Sequence, residues 1–203
     1  MSARAIPASG RLPATTTGAR ATGWWGMVLL VATEATLFAC LLTSYFYLRA
    51  SNATWPLGDI EKPSLLLPGI LTVILLSSSA PMHWAERSIR RGDGGRLALG
   101  LAISFLLGAT FLSLQVIEYS RESFTPQTNA YGSLFFTITG LHGAHVLIGL
   151  LMSAVVQLRT WLGQFTARRH LAVQNVALYW HFVDAVWVFV FLSLYVSPHL
   201  LPQ

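Results

Sequence analysis

The sequence predicts an all-α integral membrane protein, a bundle of five transmembrane helices, and three observations carry that prediction. Of the 203 residues, 54% are hydrophobic and only 10% are charged, whereas a soluble domain carries about 25% charge. Five apolar runs each reach the ~20 residues that a helix needs to cross a bilayer. The cations gather in alternate gaps between those runs, where they act as topology signals.

Residues 1–23 are rich in Ala, Thr, Ser, Gly and Arg, and they lack the apolar core of a secretory signal peptide. They read as a flexible cytoplasmic N-terminal tail, with 24–203 as the membrane domain and the first helix as its own insertion signal. The first run, 24–48, carries Glu34 between Thr33 and Thr36, and also Cys40, the single cysteine. One cysteine forms no internal disulfide and no thiolate cluster; within an apolar run it is expected to be a small packing residue. Glu34 reads either as a protonated carboxyl bonded to a neighbouring helix or as a site whose protonation matters.

The second run, 64–84, contains Pro68 and Pro81, each of which removes a backbone donor and predicts a kink. The third, 97–117, ends near Glu118 and Tyr119, where a tyrosine suits the interface and a glutamate is expected to stay solvated. The fourth, 131–158, places His142 and His145 three residues apart among Gly140, Gly143 and Gly149, whose missing side chains allow close helix approach. Two histidines at this spacing can ligate a metal, but no third ligand stands at matching spacing, so interhelical hydrogen bonding is the expected role. The fifth, 173–196, contains Tyr179-Trp180-His181-Phe182-Val183-Asp184-Ala185-Val186-Trp187. Ionisable groups at membrane depth cost about 2.5–3.5 kcal/mol on insertion scales, so His181 and Asp184 are expected to pair and to face protein.

The charge pattern orients the bundle. With the N-terminus cytoplasmic, Arg4, Arg11, Arg20, Arg87, Arg90, Arg91, Arg96, Arg159, Arg168 and Arg169 all lie inside, while only Arg49, Lys62 and Arg121 lie outside. Five spans then put the C-terminal tail outside. The net charge of +5 and pI near 9.9 do not indicate nucleic acid, because the basic residues form no interleaved basic and aromatic surface. Neither an internal repeat nor paired broken helices point to a secondary transporter.

Four ordered motifs resemble subunit III of the haem-copper terminal oxidases in its short five-helix form: Glu34; Glu118-Tyr119 with Phe124-Thr125 and Tyr131-Gly132-Ser133; the stretch 139–146 with its two histidines, followed by Gly149; and the stretch 179–187. The resemblance implies a chain with no redox centre and no metal of its own and no catalytic residue. Haem and copper are then expected in partner subunits. It implies direct packing on subunit I, with subunit II in the same complex, and a role in stabilising the core and in supporting proton uptake. Glu34, His142, His145, His181 and Asp184 resemble the family's buried polar residues, and Glu118, Tyr119, Tyr179, Trp180 and Trp187 its motif positions. The region around Glu118 looks more like the cytochrome c oxidases than the quinol oxidases, so cytochrome c is the expected donor to the complex.

Two departures limit the transfer. Longer members begin with two further helices enclosing a lipid-filled cleft, so here the cleft is expected to be absent or completed by a partner, with bound phospholipid possible but its residues unassigned. Gln174 stands where several members carry a glutamate. Twelve arginines against one lysine suit a GC-rich bacterial genome, and the expected location is the bacterial plasma membrane. The nearer alternative is an accessory subunit of a nitric oxide reductase system, similar in the same region; the more distant is a stand-alone proton or solute transporter.

Overall fold

The computed structural model describes residues 22–58 and 60–200. The described part is helical: α1 spans Thr22–Ala50, α2 Leu66–Arg90, α3 Gly94–Tyr119, α4 Ala130–Trp161 and α5 Leu171–Val190. From Val190 the chain continues through a π-helical stretch, Phe191–Val196, into the short α6, Ser197–Leu200. All five spans, counting α5 through Leu200 as one, are long and apolar enough to cross a bilayer. The expected tail, residues 1–23, lies outside the described residues except for Thr22 and Gly23, which already belong to α1.

The turns explain why the helices stop where they do. Gly92, at φ +81°, takes the left-handed conformation that ends α2, and Asp93 immediately caps α3 by accepting from the Arg96 N–H at 2.9 Å. Asn129 caps α4 through Gly132 and also donates to the Leu57 carbonyl at 2.9 Å, tying the first loop to the third. Pro68 sits in the first turn of α2, where no intrahelical donor is lost. Of the two prolines expected to disturb this helix, therefore, only Pro81 interrupts its ladder, and α2 continues past it to Arg90.

Packing centres on α5, the most enclosed span, which lies against α1, α2 and α4, while α3 bridges α2 and α4. Glycines set the closest approaches. A Cβ on Gly100 would stand 2.7 Å from the Pro81 carbonyl, and one on Gly108 would stand 2.5 Å from the Trp180 ring. Gly149 does what the sequence suggested, lying against the other part of that ring at 3.0 Å, but Gly140 and Gly143 do not mark a close contact. At the end opposite the arginine-rich one, Tyr45, Trp55, Phe124, Tyr131, Phe135 and Tyr195 interlock largely edge to face, the geometry that ring quadrupoles favour.

Helix α1 is the least enclosed span. Cys40 on it is exposed rather than packed in the bundle, because α1 touches its neighbours mainly through one narrow side on which Phe38 and Tyr45 are buried.

Candidate functional site

Buried polar side chains at membrane depth fall into three groups. The first joins α1 to α4. His145 Nδ1 lies 2.8 Å from the Leu141 carbonyl and its Nε2 lies 3.1 Å from Glu34 Oε2. A carbonyl only accepts, so Nδ1 carries a proton, and the Nε2 contact then shares one further proton between imidazole and carboxyl. The pair is neutral overall wherever that proton resides. Phe38 packs on the imidazole and Tyr179 stacks parallel to it.

His142 has a different setting. It is buried, and neither ring nitrogen has a hydrogen-bond partner in the described structure. Instead it is held between Trp187, 4.8 Å away, and the rings of Phe111 and Phe38. The expectation of interhelical hydrogen bonding thus holds for His145 and fails for His142, whose face of α4 is turned into the aromatic core.

The second group joins α2 to α5. His181 and Asp184 do not bond each other directly; Ser79 stands between them, 3.0 Å from His181 Nδ1 and donating to Asp184 Oδ2. Trp180 and Trp187 extend the same seam, donating to Ser78 at 2.8 Å and to Thr72 at 2.9 Å. Trp180, His181, Asp184 and Trp187 therefore all find a partner on α2, while the Tyr179 hydroxyl donates to the His145 carbonyl of α4 at 3.4 Å; the sequence leaves these partners unsaid. The one legible signal was the run Ser77-Ser78-Ser79 inside an apolar span.

The third group lies at the opposite end. Glu118 is buried rather than solvated: only 4% of it is exposed, and Gln115 donates to it at 2.9 Å. Tyr195 of the π-helical stretch and Glu122 of the next loop stand near this carboxylate. Tyr119 donates to Thr139 of α4 at 2.7 Å, fixing the end of α3 against the body of α4. In the loop itself, burial pushes the Glu122 carboxyl above its ordinary pKa.

Among the described residues no three His, Cys, Asp or Glu side chains converge as a metal-ligand set. The arrangement offers paired proton donors and acceptors together with tightly fitted helix seams.

Comparison with known proteins decides the family. The family described as cytochrome c oxidase subunit III matches residues 4–198. The chain belongs to the cytochrome c oxidase subunit III family. It is 37% identical over 172 residues to cytochrome c oxidase subunit 3 of Synechocystis, covering 84% of this chain and 74% of that protein. The proteins of the same name from Drosophila melanogaster and Triticum aestivum are each 36% identical, over 84% of this chain and 68% and 67% of their own lengths. The chain is thus a multi-pass membrane protein of the subunit III family. Its buried polar groups sit on the seams between α1 and α4, between α2 and α5, and at the end of α3 against α4.

Proposed function

We propose that this chain is the non-redox subunit III of an aerobic respiratory oxidase, in a complex where haem and copper belong to subunits I and II and cytochrome c delivers electrons. Its work is mechanical and protonic: it holds subunit I and supports proton uptake during oxygen reduction. The observation that carries this reading is Glu34. Its side chain remains about a third exposed on a span whose other exposed residues are apolar or hydroxyls bonded back to their own helix, and ionisable groups at membrane depth face protein or water rather than lipid. A partner surface is therefore expected over Glu34, and direct packing on subunit I meets that need. Individual polar contacts between membrane helices are worth only about 0.6 kcal/mol on average, so docking rests on many of them together.

The orientation in this proposal has the arginine-rich end in the cytoplasm of a bacterium. Beside that end a groove of about 400 Å³ is walled by Met27, Leu151, Val155 and Val156, with Arg159 and Asn175 at its polar edge. Apolar walls with a cation at the membrane boundary suit an acyl chain and an anionic phospholipid headgroup.

The deciding experiment is a mild-detergent pull-down on this chain from its native membrane, read by a reduced-minus-oxidised haem spectrum and by mass spectrometry. Co-purifying haem-bearing subunit I and a copper-site subunit II are expected; a haem-free isolated chain refutes the proposal. In the same complex Glu34→Gln is expected to alter turnover or the rate of inactivation during turnover. Unchanged kinetics would remove Glu34 from any proton-linked role.

A further inference from the structure

The arginine-rich end also carries a cavity of about 240 Å³, lined by Trp24 of α1, Glu86 and Arg90 of α2, and Gln174, Leu178 and His181 of α5. A water occupies about 30 Å³ of liquid volume, so several fit there and find polar partners on the walls. His181 lies ten residues past Leu171, about 15 Å along the helix at 1.5 Å per residue. It is thus the lining residue of α5 deepest in the membrane.

From that imidazole a hydrogen-bonded line continues inward. The Ser79 hydroxyl has one proton and gives it to Asp184 Oδ2, so toward His181 it accepts, and Nδ1, 3.0 Å away, is the donor. Asp184 is buried, with 3% of the residue exposed, and its second oxygen, Oδ1, has no hydrogen-bond partner. Among the described residues, the other charged or titratable groups facing this line all come from α2. They are Glu86 and Arg90, joined at 2.5 Å, and His83, whose ring centre is 6.2 Å from that of His181. Helix α1 contributes the uncharged Trp24, and α4 contributes no residue to the cavity lining.

We infer that the cavity, His181, Ser79 and Asp184 form a proton-accepting inlet, in which Asp184 is the terminal acceptor and is reached only from the arginine-rich end. A hydronium ion in the cavity gives its proton to His181 Nε2. The Nδ1 proton passes to Ser79 Oγ, and the serine proton passes to Asp184 Oδ2. The carboxyl gains one proton, the imidazole changes tautomer and the cavity keeps a water, so charge and atoms balance. In the loaded state each donor is reversed: the carboxyl donates to Ser79 and Ser79 to Nδ1. The inlet is separate from the Glu34 and His145 pair, which lies between α1 and α4. It stands on this chain's residues and does not require the oxidase reading.

The test uses the intact complex in lipid vesicles, with pH stepped at one face and the carboxyl stretch followed by infrared difference spectroscopy. The Asp184 band is assigned by its shift in Asp184→Glu and its loss in Asp184→Asn. The expected result is a band that responds to pH at the arginine-rich face and ignores the opposite face. Ser79→Ala should lose the response, and Ser79→Thr, which keeps the hydroxyl, should retain it. A band insensitive to both faces, a band driven from the opposite face, or an undiminished response in Ser79→Ala overturns the inlet. Each of these readings is independent of whether the complex reduces oxygen.

Discussion

Single positions show how far local chemistry depends on what lies across the helix interface. His142 and His145 have the same side chain on the same helix, yet one shares a proton with Glu34 while the other is enclosed by Trp187, Phe111 and Phe38. Gly108 shows the steric counterpart. An added Cβ would stand 2.5 Å from a Trp180 ring that is pinned by its bond to Ser78 and backed by Gly149. Overpacking of this kind costs about 1–3 kcal/mol. Gly108→Ala is therefore expected to lower the unfolding midpoint in a denaturing-detergent titration, and an unchanged midpoint would mean that the tryptophan moves freely. Glu122 gives a pH prediction outside the membrane. Its folded pKa is raised by burial above the ordinary 4.5, so the folded state holds the proton more tightly than the unfolded chain. The associated stability is fully present below about pH 4.5 and is lost as pH rises through the raised folded value. Glu122→Gln should flatten that decline in a pH series of unfolding midpoints, and a parallel decline in the variant would assign the effect elsewhere.

At the scale of elements, the hairpin of α2 and α3 depends on a three-residue connection. Arg91 closes one helix, Gly92 supplies the left-handed turn and Asp93 opens the next by capping the Arg96 N–H. Losing such a cap costs about 0.5–2 kcal/mol. Asp93→Ala should destabilise the protein by that order in the same detergent titration, with Asp93→Asn, which keeps an acceptor oxygen, close to the parent. Equal losses in both variants would point to charge rather than capping. The helices themselves were legible at this scale, since apolar run length is a local signal. The π-helical stretch after Val190 was not, because the residues 191–196 carry no breaker and its geometry answers to packing of Tyr195 against Phe135 and Phe191. Nor was the burial of Glu118 legible, because a carboxylate at a span's end looks solvated until residues distant in sequence, such as Tyr195, are seen beside it.

For the whole molecule, the up-and-down path puts Gly23 beside Asn175 at one end, and Arg49 beside Ser197 at the other. The two described termini therefore lie at opposite ends, as five spans require. If the arginine-rich end is cytoplasmic, then in a Cys40→Ser background a membrane-impermeant maleimide applied to intact cells should label Ser123→Cys and spare Arg91→Cys. The reverse pattern would invert the proposed topology. The sequence by itself determined the number of spans, their ordering, their orientation signals and the ionisable groups that lie within the spans, since each depends on stretches of about 20 residues or fewer. Only the tertiary structure decided partnership: Glu34 meets a histidine 111 positions away, and the His181 and Asp184 motif meets Ser79 more than 100 positions earlier. The reason is rotational. Hydropathy states that a helix crosses the membrane but leaves its turn about its own axis open, and that angle is set where Gly100, Gly108 and Gly149 let neighbouring helices close on Pro81 and Trp180.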